Sequence, residues 1–302
     1  LENMGVLLEE MGKYEEAEEY YRRALEGRTN VLEEDHEDTL KATYSLASLL
    51  EEMERYDEAE ELFLKELAAQ ENKSGVEDPE TLSSIYNLGR FYSVLDNNEE
   101  AEVYYLRALE GRRNVLGEDH EDTLSTTYSL ASLLEEMERY EEAEEYYLKE
   151  LEGCEKSLGP EASDTLYSLQ NFAVFLRNHE KYKEAEKYYD LLLERRENAN
   201  GLIHSGTGSS WFSYAKFQNT KGELTQAEKA CRKALDIRTQ LEEPDYEDIG
   251  NTQLLLAQIL LNTNQKKEAL KMAKAARKSY KKTEDEDLVA EAEEIIEQIQ
   301  SQ

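Results

Sequence analysis

The chain has 302 residues, 39% apolar and 34% charged, with 69 acidic against 35 basic side chains and a net charge of −34. This composition can build a core, and only three prolines and fourteen glycines suit a helical chain. So acidic a surface makes nucleic acid a poor partner, and no apolar run approaches the roughly 20 residues that a membrane-spanning helix needs. The acid is concentrated in residues 1–200, which carry −31, whereas residues 201–302 carry −3.

Ala17, Ala59, Ala101, Ala143, Ala185, Ala227 and Ala269 follow one another at a constant interval of 42 residues. A fixed period of this size marks stacked copies of one supersecondary unit, and predicts one elongated domain in which each copy touches only its neighbours. The first copy enters near the middle of its opening helix, so an upstream part is expected to be missing from it. Residues 39–74 serve as the type unit. Leu40, Tyr44, Leu46, Ala47 and Leu50 make an apolar stripe at helical spacing, which we term helix A. Arg55-Tyr56 follows Met53 as a short turn, and Ala59, Leu62, Phe63 and Leu67 form a second amphipathic helix, B. The polar connection after it ends in Asp78-Pro79, where aspartate can cap free N–H groups and proline is tolerated in the first turn. Asp38-Thr39-Leu40, Asp122-Thr123-Leu124 and Asp164-Thr165-Leu166 mark equivalent starts.

Gly5, Ala47, Gly89, Ala131, Ala173, Ala215 and Ala257 lie twelve residues before the spaced alanines and are predicted at close helix crossings. A ring follows each of the first five alanines by four residues, at Tyr21, Phe63, Tyr105, Tyr147 and Tyr189, and gives way to Cys231 and Ala273. Residues 27–67 and 111–151 match closely, which indicates duplication of a two-unit block. His36 and His120 recur in Glu-Asp-His-Glu-Asp with no second histidine at ligand spacing, so they read as echoes of that duplication and no metal is expected. His179 and His204 stand in no motif. Cys154 and Cys231 read as reduced, semi-buried thiols, which points to a cytoplasmic location. Residues 201–210 are rich in glycine and serine but lack the Gly-Lys-Ser/Thr ending and preceding strand of a phosphate loop, and predict a frayed helix start or a kink. Trp211 reads as a packing residue. The cluster Lys266, Lys267, Lys271, Lys274, Arg277, Lys278, Lys281 and Lys282 reads as neutralising acidic neighbours or favouring a helix C-terminus, the alternative being contact with RNA or a membrane surface. Seven units thus fill residues 1–283, the first truncated, and residues 284–302 read as a capping helix with Leu288, Ile295, Ile296 and Ile299 on its apolar side.

The small residue in helix A, the alanine in helix B and the ring after it resemble the tetratricopeptide repeat. The 42-residue length is similar to the repeats of kinesin light chains and nephrocystin-like proteins, carried by Tyr56-Asp57-Glu58-Ala59-Glu60, Tyr86-Asn87-Leu88-Gly89, Arg107-Ala108-Leu109-Glu110 and Val115-Leu116-Gly117-Glu118-Asp119-His120. The resemblance implies an all-α, right-handed solenoid of about seven antiparallel helix pairs. It implies a concave face lined by the A helices, on which ligands lie. Counting back fourteen residues from each alanine gives Asn3, Ser45, Asn87, Ser129, Asn171, Ser213 and Leu255. In kinesin light chain-like repeats, asparagine there holds the backbone of an extended peptide through its paired donor and acceptor.

Neighbouring positions add Arg90, Arg177 and Lys216, with Tyr44, Tyr86 and Tyr128 beside them. Cations kept in so acidic a chain point to a carboxylate or acidic peptide, the alternative being that they pair with Glu51 and Glu135. The tyrosines serve either the groove or the contact between helices A and B. Runs such as Glu15-Glu16 face water and offer no environment that would split carboxylate pKa values, so neither enzyme activity nor a cofactor is expected. The expected function is a scaffold or adaptor that binds a protein or peptide in the concave groove. The alternative is a structural or regulatory arm, for oligomerisation or sensing, of a larger signalling protein.

Overall fold

The computed structural model describes residues 1–283 and 285–301. Among the described residues there are fifteen α-helices and no strand. They fall into two compact units, Leu1–Gly153 and Cys154–Gln302. The first unit holds α1 (Glu2–Glu10), α2 (Tyr14–Val31), α3 (Glu37–Glu52), α4 (Tyr56–Ser74), α5 (Pro79–Val94), α6 (Asn98–Leu116), α7 (Glu121–Glu136) and most of α8 (Tyr140–Leu158). The second continues with α9 (Ser163–Asn178), α10 (Tyr182–Asn200), α11 (Ser205–Thr220), α12 (Leu224–Gln240), α13 (Tyr246–Asn262), α14 (Lys266–Tyr280) and α15 (Glu286–Ser301). Odd-numbered helices from α1 to α13 are A helices, and their even-numbered successors are B helices. Within each unit, helices adjacent in sequence pack on one another.

The spaced alanines explain that packing. All seven are sealed from solvent at 0% exposure. A methyl side chain lets helices approach to the short end of the usual 8–10 Å, which positions the following ring against helix A. In two copies the approach is closer than a Cβ allows. A Cβ on Gly89 would stand 2.6 Å from Tyr105 Cδ1, and one on Gly5 would stand 2.9 Å from Tyr21 Cε1. The rings therefore lie against the helix A backbone, and Tyr21, Phe63, Tyr105, Tyr147 and Tyr189 are all buried. Cys231 and Ala273 replace them in a core filled by Leu256, Ile259 and Leu260, closed by Ile296 and Ile299 of α15. Of the stretch 284–302 expected as a cap, residues 284 and 302 lie outside the described residues. Cys154 and Cys231 are both buried, and burial pushes the Cys231 thiol up to about 12.

The turns repeat as strictly as the helices. Between A and B, a residue with φ of 55–69° stands at Gly12, Glu54, Asp96, Glu138, Glu180 and Asn264, and Gly222 joins them at 81°. At the first non-glycine example, Arg55 N–H donates to Leu50 O and Glu54 N–H to Glu51 O, both at 2.9 Å. This closes the helix as a Schellman turn, which needs one left-handed residue. B helices stop at Gly75, Gly117, Gly159 and Gly201. At Gly75, Gly117 and Gly201, φ of 76–96° combines with ψ of 166–179°, a region essentially restricted to glycine.

Two sequence readings change here. Residues 201–210 form neither a frayed nor a kinked start: Gly201 is the regular stop of α10, and α11 opens at Ser205 with the same 16-residue length as α7. His204 belongs to a series with His36 and His120. Each caps an A helix, its Nδ1 accepting the N–H two residues on, at 3.1–3.2 Å. The basic cluster of α14 is partly engaged: Arg277 pairs with Glu293 at 3.3 Å, and Lys282 Nζ lies 3.7 Å from the Tyr246 ring centre.

Two outcomes follow from this packing. Ala101→Leu adds volume at a sealed crossing and should destabilise the chain by about 1–3 kcal/mol in thermal or denaturant melts. An unchanged midpoint would contradict the close-approach account. Glu66 in α4 is 5% exposed, and its carboxyl is pushed up from 4.5 to about 7 by burial, against the lowering effect of the Ser84 hydroxyl bonded to it at 2.9 Å. The folded state then holds a proton that the unfolded state releases, so stability falls as pH rises from about 4.5 through about 7. Glu66→Gln should flatten that slope, worth roughly 3 kcal/mol. A melt-versus-pH series in which the variant keeps the wild-type slope would refute it.

Candidate functional site

Position along helix A decides which side chains share a face, because residues three and four apart on a helix are neighbours. In the first unit, Tyr44, Ser45 and Asn87 line one cleft of about 600 Å³ between α3, α4 and α5. Its other walls include Glu2, Glu37, Glu66, Asp78 and Glu80, with Lys41 and Lys73 as the cations. The cleft is polar and predominantly acidic. Arg90 is not free there: its guanidinium grips Glu51 in a two-pronged ion pair, Nη1 to Oε1 at 2.8 Å and Nη2 to Oε2 at 2.7 Å. This is the pairing that the sequence left open as the alternative for the groove cations.

The three tyrosines are half-buried. Each packs on the ring of the B helix that follows, with centroid separations of 5.7 Å for Tyr44–Phe63, 5.6 Å for Tyr86–Tyr105 and 5.8 Å for Tyr128–Tyr147. Tyr86 is further held between Ser129 Oγ, 3.0 Å from its hydroxyl, and the Arg112 guanidinium, 4.8 Å from its ring centre. One edge of each ring thus belongs to the A–B contact.

The second unit is electrostatically different. Arg177 of α9 and Lys216 of α11 line a cleft of about 500 Å³ together with Asn178, Glu180, Tyr182, Asn219 and Thr220. Arg177 donates to Asn178 Oδ1 at 2.8 Å and 3.2 Å. Lys216 Nζ lies 4.6 Å from the Phe212 ring centre. Burial, then the nearby Arg177 and Arg238, lower the pKa of Lys216. Neither Arg177 nor Lys216 forms an ion pair among the described residues. Asn171 is half-buried and its Nδ2 is sealed from solvent without a partner, so it does not join the lining of this cleft.

A further series escaped the sequence reading because it lies eleven residues after the spaced alanines, where counting backward does not reach. It runs Arg28, Gln70, Arg112, Cys154, Arg196, Arg238 and Tyr280. Arg112 donates to Asp122 O at 3.0 Å and Thr126 Oγ1 at 2.7 Å, and Arg238 donates to Asp248 O at 2.7 Å and Thr252 Oγ1 at 2.5 Å. Arg28 likewise reaches Asp38 O at 2.7 Å. The residue clamps the end of one B helix to the first turn of the next A helix. The rings of Tyr86 and Phe212 lie against Arg112 and Arg238, at 4.8 Å and 4.6 Å.

Among the described residues, no group of three or more His, Cys, Asp or Glu side chains is placed to hold a metal ion, and no helix is long and apolar enough to cross a membrane. No curated protein matches the sequence. Solved structures similar in fold include BtubC from P. vanneervenii, at 20% identity and a TM-score of 0.63 over 75% of this chain and 91% of that one. A putative kinesin light chain with nearly identical repeats from Podosopora anserina is also 20% identical, with a TM-score of 0.59 over 66% and 94% of the two chains. A signal-transduction ATPase with a tetratricopeptide repeat sensor from Pyrococcus horikoshii is 18% identical, with a TM-score of 0.70 over 98% of this chain and 43% of that protein. The tetratricopeptide repeat itself matches residues 1–72, 80–156, 124–198 and 206–282. Repeats of this kind mediate protein–protein interaction and are typically non-catalytic scaffolds. The buried alanine series, the helix pairs and this match together establish that the chain belongs to the tetratricopeptide repeat family.

Proposed function

We propose that the chain is a non-catalytic scaffold whose A helices receive an extended peptide or partner helix, with its acidic groups held in the second unit. One observation carries this reading. Arg177 and Lys216 share a cleft with Glu180, yet neither forms an ion pair among the described residues, within a chain of net charge −34. Many cations of this chain pair with acids, as Arg55 does with Glu18 and Glu58. Two cations with no carboxylate partner suit a ligand carboxylate, and charge-assisted hydrogen bonds are the strong ones. Asn178 and Asn219 add donors and acceptors that suit a peptide backbone.

The acidic cleft beside Tyr44 and Asn87 favours the opposite sign of side chain, so a bound peptide is expected to carry basic and acidic groups in separate segments. Arg90, closed by Glu51, contributes to shape more than to charge recognition.

A second reading is that the chain forms a sensor arm of a larger signalling protein. Its support is the likeness in fold to the P. horikoshii ATPase, of which this chain matches under half.

Partner capture from cell extract should be lost in an Arg177→Glu/Lys216→Glu double variant, and the affinity of a captured acidic peptide should fall on the order of tenfold or more. Wild-type should bind less tightly as salt rises. Retention of all partners by a folded double variant would remove the groove proposal. A chain that stays monomeric across concentration in light scattering would count against an oligomerising arm.

A further inference from the structure

Among the four arginines eleven residues after a spaced alanine, Arg196 lacks a clamp. It is 9% exposed, yet it has no hydrogen bond or ion pair among the described residues. The cause is readable in its neighbours. Where Arg112 and Arg238 meet Asp122 and Asp248, Arg196 meets Gly206. Asp248 Oδ1 lies 3.0 Å from Arg238 Nη2, and glycine offers no such carboxylate. Where Tyr86 and Phe212 supply a ring, Gln170 stands instead, and the hydroxyl of Ser210 is turned to Gln170 Oε1 at 3.2 Å and Gly206 O at 3.0 Å. Burial lowers the pKa of Arg196 with no opposing charge, whereas Asp122 and Asp248 offset the same effect at Arg112 and Arg238.

The guanidinium points at the first turn of α11. Its Nη1 lies 3.0 Å, and its Cζ 3.4 Å, from where a Cβ on Gly206 would stand. That turn is the positive end of a 16-residue helix and carries no acidic residue, while α3, α7 and α13 each carry two. An unpaired cation therefore sits nine-tenths buried against a helix N-terminus, an arrangement that costs free energy until an anion joins it. Nε is sealed from solvent without a partner, and Nη1 and Nη2 form no hydrogen bond among the described residues. The neighbouring cations are already engaged: Arg195 pairs with Glu155 at 2.5 Å, and Lys233 pairs with Glu197 at 2.7 Å.

We infer that Arg196 and the first turn of α11 form a carboxylate-binding site, in which a ligand carboxylate occupies the place that the Asp248 carboxylate fills beside Arg238. A carboxylate is favoured over other anions because the group that meets the equivalent Arg238 in the unit beginning at α13 is the Asp248 carboxylate. The site shares no residue with the lining of the Arg177–Lys216 cleft and does not depend on it.

The test is a titration of the whole chain with acetate and with a blocked Ala-Asp-Ala peptide, read by NMR at the Gly206 amide and the Arg196 Nε–H. Saturable shifts are expected with both probes. Tighter binding of the peptide assigns the carboxylate to a protein partner, and equal binding assigns it to a small acid. Gly206→Asp fills the site from within, and it restores the residue found at Asp122 and Asp248, so it should fold, melt higher than wild type and lose acetate affinity on the order of tenfold or more. Arg196→Met should lose binding likewise, while Arg177→Glu should leave the acetate titration unchanged. No saturable shift in the wild type, an undiminished shift in Gly206→Asp, or binding of inorganic phosphate in preference to acetate would overturn the inference.

Discussion

The close approach of helices at the spaced alanines is the constraint on which the rest of the structure depends. A methyl group at Ala101 or Ala185, fully sealed, lets a ring four residues later reach the backbone of the preceding A helix. Once that contact is fixed, the turn residues, caps and interhelix clamps all fall at fixed offsets from it. Packing in stacked repeats is local, so each copy needs the whole set of contacts, and the set recurs every 42 residues. Copies differ in how they meet the constraint. Gly5 and Gly89 yield space by lacking a Cβ, while the last two copies give up the ring and fill the gap with leucine and isoleucine.

Electrostatics overlays this frame without determining it. Acidic residues of the B helices are tied to basic residues of neighbouring helices, as in Arg55 with Glu18 and Glu58 and, 84 residues on, Arg139 with Glu102 and Glu142. These partly exposed pairs contribute little each, about 0–1 kcal/mol. Their larger effect is on the cations that have no such tie. Arg177, Lys216 and Arg196 form no ion pair among the described residues. Function is therefore expected where the repeat departs from its own pattern, since identical copies recognise nothing in particular.

The helix pairs, the alanine contact and the wedge rings were legible in the sequence because each rests on a residue type confined to one register. Other features were hidden for physical reasons. The left-handed turn residue is glycine in only two copies, and Glu54, Asp96, Glu138, Glu180 and Asn264 carry no sign of the backbone they adopt. His204 escaped notice because its surroundings diverged from those of His36 and His120, although its capping bond did not. The glycines and serines of residues 201–210 suggested a frayed helix start or a kink, yet Gly201 is the ordinary helix stop, and Gly206 is informative for the side chain it lacks. Among the proposed groove residues, the pairing of Arg90 with Glu51 and the sealing of the Asn171 amide depend on side-chain conformation, which spacing cannot reveal.

The central functional claim is that partners lie across the A helices of the second unit. It is tested most directly by photocrosslinking, with a reactive residue placed at Val174 of α9 or at the exposed Lys187 of α10. The account predicts partner adducts from position 174 and none from 187, with competition by an acidic peptide. Adducts confined to position 187 would move recognition to the B helices and contradict it.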